Sequence, residues 1–226
     1  MFRYELHMHS REGSACGQSS IEDMILRYHR LGFAGAAVTN HFLGGNIAID
    51  RTLPWEALIE AYSLAYTRGK EFAKTLDFDL LFGIEQGYGK GKEFLAYGFE
   101  PSFLTERPFL RNAELSVWAR EIHAVGGYLG FAHPFRVRPY ITDPDEMPDM
   151  TLADGFEGYN MSNSPEENER AVKLLSAPGK VCTAGSDLHT CSFDRAFGVV
   201  FPERVTSSEA LAKRLKSGNF SLFLGK

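Results

Sequence analysis

The stretch Arg3-Tyr4-Glu5-Leu6-His7-Met8-His9 is an apolar-rich segment that ends in two histidines. Side chains two positions apart on a strand point to the same face, so His7 and His9 are expected to aim at one spot. Three further hydrophobic segments end in, or are followed by, a histidine or an Asp-x-His pair. These ends are Thr39-Asn40-His41, Phe131-Ala132-His133-Pro134 and Gly185-Ser186-Asp187-Leu188-His189. Imidazole suits Zn, Fe, Ni and Cu, and carboxylate favours harder ions. Mixed ligands at several strand ends therefore predict a hydrolytic, multinuclear metal site.

Around these segments, the hydrophobic periodicity predicts alternating strands and helices. The expected strands are 3–9, 35–41, 78–85, 93–99, 128–133, 155–159 and 180–185, with short strands near Val199 and Phe220. Helices are expected from Ser20 to Leu31 and over 54–76, 112–125, 165–175 and 208–217, and 139–150 is expected to be a surface loop. Repeated βα units imply a largely parallel sheet with helices outside. Seven strands with ligands at their C-terminal ends predict an α/β fold of the (βα)7 TIM-like barrel type.

Size and composition fit one barrel domain over residues 1–226. The chain is 44% hydrophobic and 23% charged, and no apolar run reaches the roughly 18 residues that span a bilayer. The N-terminus lacks a signal-peptide pattern, and three cysteines are too few for a disulfide framework, so we expect a cytoplasmic protein. A net charge of −5 without a basic block argues against long nucleic acid as a partner, but it is compatible with a small phosphorylated substrate. The sequence contains no feature that indicates an oligomeric state.

Two glutamates extend the predicted metal site. Glu85 ends the hydrophobic strand Phe82-Gly83-Ile84-Glu85, where an unpaired carboxylate is costly to bury and a metal would resolve that cost. The alternative is a salt bridge at the rim. Glu93 begins the next strand and is either a ligand on the same side or a solvated residue paired with Lys90 or Lys92.

Several other residues have two readings. Arg136, just after His133-Pro134, is either a phosphate-binding arginine or a solvated loop residue, and Arg138 is a weaker candidate. Cys16 and Cys191 are potential zinc ligands, but packing is the simpler role. His29 and His123 fall within helical patterns and are expected outside the site. The glycine-rich segment 87–91 is expected to be a hairpin turn, and the sequence contains no P-loop, nucleophile elbow or dinucleotide fingerprint.

The order His-x-His, Thr-Asn-His, Gly-Ile-Glu, Ala-His-Pro and Gly-Ser-Asp-x-His resembles that of the PHP (polymerase and histidinol phosphatase) family. The segment Gly155-Phe156-Glu157-Gly158-Tyr159-Asn160 resembles the sixth strand of that family. The match extends from Tyr4 to His189. It implies a distorted seven-stranded βα barrel that holds two or three divalent metal ions (Zn, Mn or Fe) and hydrolyses phosphoesters.

Carried over by position, the resemblance implies three sets of metal ligands. His7, His9, Glu85 and Asp187 hold the first ion. Glu85 bridges to a second, which His133 and Glu93 complete, although the family usually has histidine at the position of Glu93. His41 and His189 hold the third, for which the family usually adds an aspartate where this chain has Ser14. Glu12, Cys16 or water are the substitutes at that position. Asn40 stands where the family usually has an aspartate that need not be a ligand.

The resemblance and the ligand set together predict hydrolysis of a small phosphomonoester by a metal-activated hydroxide. Asp187, His189 and Arg136 are the expected catalytic residues: Arg136 neutralises phosphoryl charge, and His189 or a metal-bound water protonates the leaving oxygen. Two alternatives remain at this point. One is a phosphodiesterase or exonuclease that acts on nucleotides or oligonucleotides. The other is a non-catalytic, metal-binding regulatory domain.

Overall fold

A computed structural model describes residues 1–225 of the chain. The described residues form nine strands and six α-helices. The strands are β1 Phe2–Met8, β2 Gly35–Val38, β3 Asp79–Gly89, β4 Lys92–Tyr97, β5 Tyr128–Phe131, β6 Gly155–Asn160, β7 Val181–Gly185, β8 Gly198–Phe201 and β9 Ser221–Phe223. The helices are α1 Ile21–Arg30, α2 Trp55–Lys74, α3 Ser102–Thr105, α4 Leu115–Ala124, α5 Pro165–Leu175 and α6 Ser208–Ser217, with two 3-10 turns at Pro108–Asn112 and Met150–Leu152.

The strands form one mixed sheet in the order β7-β6-β5-β4-β3-β2-β1-β8-β9. The pairs β1/β2, β2/β3, β5/β6 and β6/β7 are parallel, whereas β3/β4, β4/β5, β1/β8 and β8/β9 are antiparallel. The expectation of a seven-stranded (βα)7 barrel was therefore wrong in strand number and direction. The physical reason is the short link between β3 and β4, which has no room for the helical crossover that parallel neighbours need.

The sheet nearly closes into a barrel where β7 approaches β1. The segment after β7 meets the end of β1, where Asp187 N–H donates to His7 O (2.8 Å) and His9 N–H donates to Leu188 O (3.1 Å). Met8 and Leu188 form a parallel bridge at the same place. The first half of β1 instead pairs with β8. The two ligand-bearing segments of the sequence therefore lie side by side at the seam.

Local sequence signals explain where the helices begin. The hydroxyl of Ser20 accepts from Asp23 N–H ahead of α1. Ser164 and Glu167 form a complete capping box ahead of α5. The main differences from the expected bounds are a longer β3, which continues to Gly89, a shorter β2, which ends at Val38, and a fourth helix that begins at Leu115.

Two apolar clusters pack the helices against the sheet. One packs α1, α2, α4 and α5 against the sheet, with Trp118 and Phe156 among its fully buried side chains. The other joins β1, β4, β5 and β8 to α6, with Tyr4 and Tyr97 buried in it. The helices thus brace the strands that carry the predicted ligands. Among the described residues, no helix has the length and apolar character needed to cross a membrane.

Candidate metal centre

The predicted ligands come together at one end of the barrel. His7 and His9 lie at the end of β1, His41 follows β2, His133 follows β5, and Asp187 and His189 follow β7. Glu85 lies within β3. Because β4 is antiparallel, its first residues lie at this same end, so Glu93 is opposite Gly87 of β3. The parallel strands and the β3–β4 hairpin therefore deliver all eight predicted metal ligands to one place.

Glu85 lies at the centre of this group and is fully buried. Its Oε1 is 3.1 Å from His7 Nε2 and 2.9 Å from His133 Nε2. Its Oε2 is 2.8 Å from His41 Nδ1 and 3.4 Å from His9 Nε2. The rim salt bridge that was the alternative for Glu85 is therefore not what the structure contains. One carboxylate faces four imidazoles.

Asp187 closes the other side of the group. Its Oδ1 is 3.2 Å from His9 Nε2, 3.6 Å from His7 Nε2 and 3.7 Å from His189 Nδ1. Its Oδ2 accepts from Arg136 Nη2 at 2.6 Å. Asp187 thus offers one oxygen to the histidines while Arg136 holds the other.

Glu93 belongs to the cluster and not to the lysines beside it. Its Oε1 is 3.0 Å from His41 Nδ1 and its Oε2 is 3.6 Å from His133 Nε2. Lys90 instead pairs with Asp143 and Glu146, and the Nζ of Lys92 donates to the carbonyls of Pro134 and Glu146. Glu93 therefore lies with the other predicted ligands, and with His41 and Glu85 it forms a group that could hold a metal ion.

The unsatisfied atoms of the cluster fit divalent metal ions. His7 Nε2, His9 Nε2, His41 Nδ1 and Glu85 Oε2 are buried and have no hydrogen-bond partner among the described residues. Buried polar atoms are normally paired, because each one left alone costs about 1–3 kcal/mol. Subsets of three residues place potential ligand atoms within 4.8 Å of one another: His9, His41 and His189; His7, His9 and Glu85; His7, His133 and Asp187; His41, Glu85 and Glu93. The donor set of nitrogen and carboxylate oxygen suits Zn, Fe or Mn.

A layer of polar residues orients the histidines. Glu157 on β6 accepts from His7 Nδ1 at 3.1 Å and, through its other oxygen, from His133 N–H at 3.1 Å. A carboxylate on Nδ1 leaves Nε2 of His7 with its lone pair towards the centre, as second-layer partners of metal-bound histidines do. In the sequence, Glu157 was noted only within the segment that resembles the sixth strand of the PHP family, and its contact with His7 was not predicted. The available signal was its position near the end of a buried strand.

Ser14 also belongs to this supporting layer. Its Oγ is 2.9 Å from His9 Nδ1, accepts from His41 N–H at 3.0 Å and donates to Asn40 Oδ1 at 3.1 Å. The hydroxyl therefore fixes His9 with Nδ1 turned away from the centre. In place of the aspartate usual in the PHP family, this chain has a neutral residue that acts on His9.

Burial and charge set the protonation of the cluster. Burial raises the pKa of Glu85 and of Asp187, but the facing histidines outweigh it and hold both pKa values well below the usual range, with Arg136 adding to the effect on Asp187. Burial and the neighbouring His41 lower the pKa of His9 to about 3. The carboxylates are thus ionised and His9 is neutral, which are the states that ligate metals. Burial lowers the pKa of His7 and of His41, but the facing carboxylates outweigh it and raise both pKa values well above the usual value, so a metal bound there would displace a proton.

Two site residues have left-handed backbone geometry, with φ of +29° at His133 and +54° at Asp187. Such conformations cost non-glycine residues about 1–3 kcal/mol and are often found at functional sites. The neighbouring contacts hold them there, since His133 N–H bonds to Glu157 and Asp187 N–H bonds to His7 O.

Of the remaining candidates, the two histidines and Arg138 lie outside the cluster, whereas Arg136 contacts it. His29 and His123 are exposed on α1 and α4, and His123 contacts Asp154, so both lie outside the cluster as expected. Arg138 bonds to Glu167 and Ser162 O. Arg136 is buried, with Nε bound to Asn163 (2.7 Å) and Nη2 bound to Asn160 (3.0 Å) and Asp187, so it is not a solvated loop residue.

A cavity of about 700 Å³ opens above the cluster. Its wall includes cluster members and two arginines, and the residues that line it are Cys16, Gln18, His41, Gly44, Gly45, Asn46, Arg51, Gly91, Glu93, Arg136, Tyr140, Asp187 and His189. A second cavity of about 560 Å³ lies against α5 and contains none of the clustered histidines. The first is of the size that holds a small molecule.

Neither the family models nor the curated proteins match this chain. Solved structures do. A two-domain protein from Bacteroides vulgatus that contains a predicted PHP-like metal-dependent phosphoesterase matches with a TM-score of 0.70 and 16% identity, over 99% of this chain and 65% of that one. A proposed metal-dependent phosphoesterase from Bifidobacterium adolescentis gives a TM-score of 0.60 and 13% identity, over 96% of both chains. An amidohydrolase from Chromobacterium violaceum, solved with sulfate and no metal, gives 0.58 and 15%, over 82% of this chain and 87% of that one.

This chain thus spans about two thirds of the length of the Bacteroides protein. At identities of 13–16%, the likeness establishes the fold. It confirms a barrel-like α/β fold, which this chain shares with the protein from Bacteroides vulgatus that contains a predicted PHP-like metal-dependent phosphoesterase.

Proposed function

We propose that this chain is a metal-dependent phosphoesterase that acts on a small phosphomonoester. The observation that carries the proposal is the set of buried, unpartnered ligand atoms around Glu85 at the floor of a cavity of about 700 Å³. Divalent ions there would lower the pKa of a bound water and neutralise phosphoryl oxygens. The descriptions of the Bacteroides and Bifidobacterium proteins as metal-dependent phosphoesterases support the same reaction class.

The charge on the cavity wall favours a phosphoryl group. Arg51 and Arg136 both line the cavity. Arg136 uses Nε and Nη2 within the protein, which fixes the guanidinium and leaves Nη1 as its remaining donor for a phosphoryl oxygen. The amidohydrolase neighbour carries a bound sulfate, an oxyanion of similar size and charge. Arg136 would therefore bind substrate while it holds Asp187 in place.

His189 is assigned the role of a ligand in preference to that of a general acid. Its Nδ1 is 3.2 Å from Asp187 O. An N–H donated to that carbonyl leaves Nε2 with a lone pair, which is the tautomer that binds metal. The leaving oxygen would then take its proton from water in the open part of the cavity.

The test is a screen of phosphomonoesters and short oligonucleotides with Zn²⁺, Mn²⁺ or Fe²⁺. We expect inorganic phosphate from monoesters and a fall in kcat/KM of at least about a hundredfold in His7→Ala, because a ligand nitrogen is lost. His29→Ala is the matched control, since His29 is exposed on α1. Release of nucleoside monophosphate would favour the phosphodiesterase alternative. Stoichiometric metal binding with no hydrolysis of any ester would favour the regulatory one.

A further inference from the structure

Asn160, the last residue of β6, contacts carboxylates of the metal centre and also the arginine assigned to substrate binding. The residue is fully buried. Its Oδ1 accepts from Arg136 Nη2 (3.0 Å) and from Ser162 N–H (2.8 Å). Its Nδ2 donates to Glu157 Oε2 (2.8 Å) and to Asp187 Oδ2 (3.3 Å). One side-chain amide therefore lies between these carboxylates and the guanidinium at the cavity wall.

The contacts of this amide use its full hydrogen-bonding capacity. An asparagine side chain offers two N–H donors and an oxygen with two lone pairs. The oxygen of Asn160 faces two donors and its nitrogen faces two carboxylate oxygens, which sets the orientation of the amide. An apolar side chain would leave buried partners unsatisfied on both sides at once. The contacts of this position therefore match the chemistry of asparagine.

Helix α5 fixes the backbone of Asn160. Asn168 Oδ1 accepts from Asn160 N–H (3.0 Å), and Asn168 Nδ2 donates to Asn160 O (2.9 Å). Asn168 is itself buried. Within residues 1–225 its side chain hydrogen-bonds to neither Arg136 nor Asp187, so it anchors Asn160 from outside the site.

Asn163 provides a contrast, because it binds the same guanidinium at a different nitrogen. Its Oδ1 accepts from Arg136 Nε (2.7 Å), and its Nδ2 donates to Asn168 Oδ1 (3.2 Å). In the described part of the chain, its side chain makes no hydrogen bond to Glu157 or Asp187. Two amides therefore hold Arg136, but Asn160 is the one that also holds the carboxylates.

We propose that Asn160 is a positioning residue that couples the metal ligand Asp187 to Arg136, so that metal binding and phosphoryl binding depend on one amide. Arg136 Nη2 donates to Asp187 Oδ2 (2.6 Å) and to Asn160, which in turn donates to Asp187, so the three groups form a closed set of contacts. A functional site needs its groups held to within about 0.5 Å, and the partners of those groups provide that precision. The inference rests on the proposed function, in which Arg136 binds the phosphoryl group.

The test measures two affinities of the full chain in Asn160→Ala and in Asn163→Ala, which is the matched control. Zn²⁺ affinity is measured by equilibrium dialysis, and sulfate affinity by calorimetry at saturating Zn²⁺. We expect Asn160→Ala to bind each at least about tenfold more weakly, because a partner of Asp187 and a partner of Arg136 are lost together. Asn163→Ala should weaken sulfate binding and leave the Zn²⁺ affinity unchanged.

A role of Asn160 in folding alone would give a different result. The urea midpoint of Asn160→Ala would fall while both affinities of the folded chain stayed at the wild-type values, and that result would overturn the proposal. Loss of only one of the two affinities would also overturn it. If Asn160→Ala does not fold, Asn168→Ala decides by the same criteria, because it loosens the backbone of Asn160 and leaves Arg136 and Asp187 in contact.

Phosphate release by the wild type tests the proposed function separately. Two affinities that fall together in a chain that hydrolyses no ester would support the coupling and contradict the phosphoesterase. Unchanged affinities in the variant, together with phosphate release by the wild type, would support the phosphoesterase and overturn the coupling.

Discussion

At the scale of single residues, the surroundings of Glu85 are the feature that most directly suggests a metal centre. It faces His7, His9, His41 and His133 at 2.8–3.4 Å, but of these four contacts only the one to His133 has hydrogen-bond geometry. The protein leaves nitrogen and oxygen atoms of this group unpartnered and buried. Bound cations would satisfy these atoms together.

Glu157 provides a test of the layer behind the ligands. Replacing it by Gln removes the charge that supports His7 and places an amide N–H₂ near His133 N–H or Asn160 Nδ2, both of which donate to Glu157 now. We expect metal affinity to fall about 10–100-fold. Equilibrium dialysis at varied free Zn²⁺ measures this. Glu71→Gln, an exposed change on α2, is the control; equal affinities for the two variants would show that Glu157 has no such role.

The sequence predicted which ligand candidates come together where they lie at the ends of apolar strands, and it missed residues that act through another residue. The eight candidates meet at one place because each lies on or just after a strand at the same end of the sheet, including Glu93, which lies near the start of the antiparallel strand β4. Ser14 and Glu157 have roles that depend on contacts between distant strands, such as Glu157 on β6 with His7 on β1. A pattern along the chain does not contain that information.

At the scale of elements, the β3–β4 hairpin is the main departure from the expected barrel. The glycines at 87–91 predicted the turn correctly, and Gly89 and Gly91 have φ of +116° and +76°. The consequence of that turn for strand direction was missed in the (βα)7 prediction. The antiparallel direction is what brings Glu93 to the metal end, because a parallel β4 would begin at the opposite end of the barrel.

Helix α5 gives a test of how local signals support the fold. Ser164 and Glu167 cap it, and Asn168 bonds to both the N–H and the carbonyl of Asn160 on β6. We expect Ser164→Ala to lower the free energy of unfolding by about 1 kcal/mol, because the N-cap hydrogen bond is lost. Urea denaturation measures the change. Ser176→Ala, at the exposed end of the same helix, should change stability by less than about 0.5 kcal/mol; an equal loss there would contradict the capping role.

At the scale of the whole molecule, the barrel and the metal centre depend on each other. The seam between β1 and the segment after β7 lies among the ligands His7, His9 and Asp187. Strand β8 pairs with the first half of the same edge of β1, and β9 extends the sheet beyond β8. The sequence predicted short strands near Val199 and Phe220, where β8 and β9 lie, but not their antiparallel pairing. The order of strands in a sheet depends on long-range contacts that local patterns do not specify.

Metal should therefore stabilise the whole fold. An ion that binds only the folded state adds about 2.7 kcal/mol when its free concentration is one hundred times its Kd. We expect Zn²⁺ or Mn²⁺ to raise the urea midpoint of the wild type, and a chelator to reverse the rise. The same ions should have a much smaller effect on Glu85→Gln. A urea midpoint that changes with neither metal nor chelator would mean that the cluster is a paired polar core and not a metal centre.

The number of divalent ions bound per chain tests the central claim most directly. Protein dialysed against Zn²⁺ or Mn²⁺, then freed of excess metal, is analysed for its elemental content as the wild type and as Glu85→Gln. The geometry around Glu85 predicts at least two ions per wild-type chain and a clear loss in the variant, because this carboxylate lies between the histidine groups. A wild-type chain that retains no ion, or a variant that retains as many as the wild type, would contradict the account.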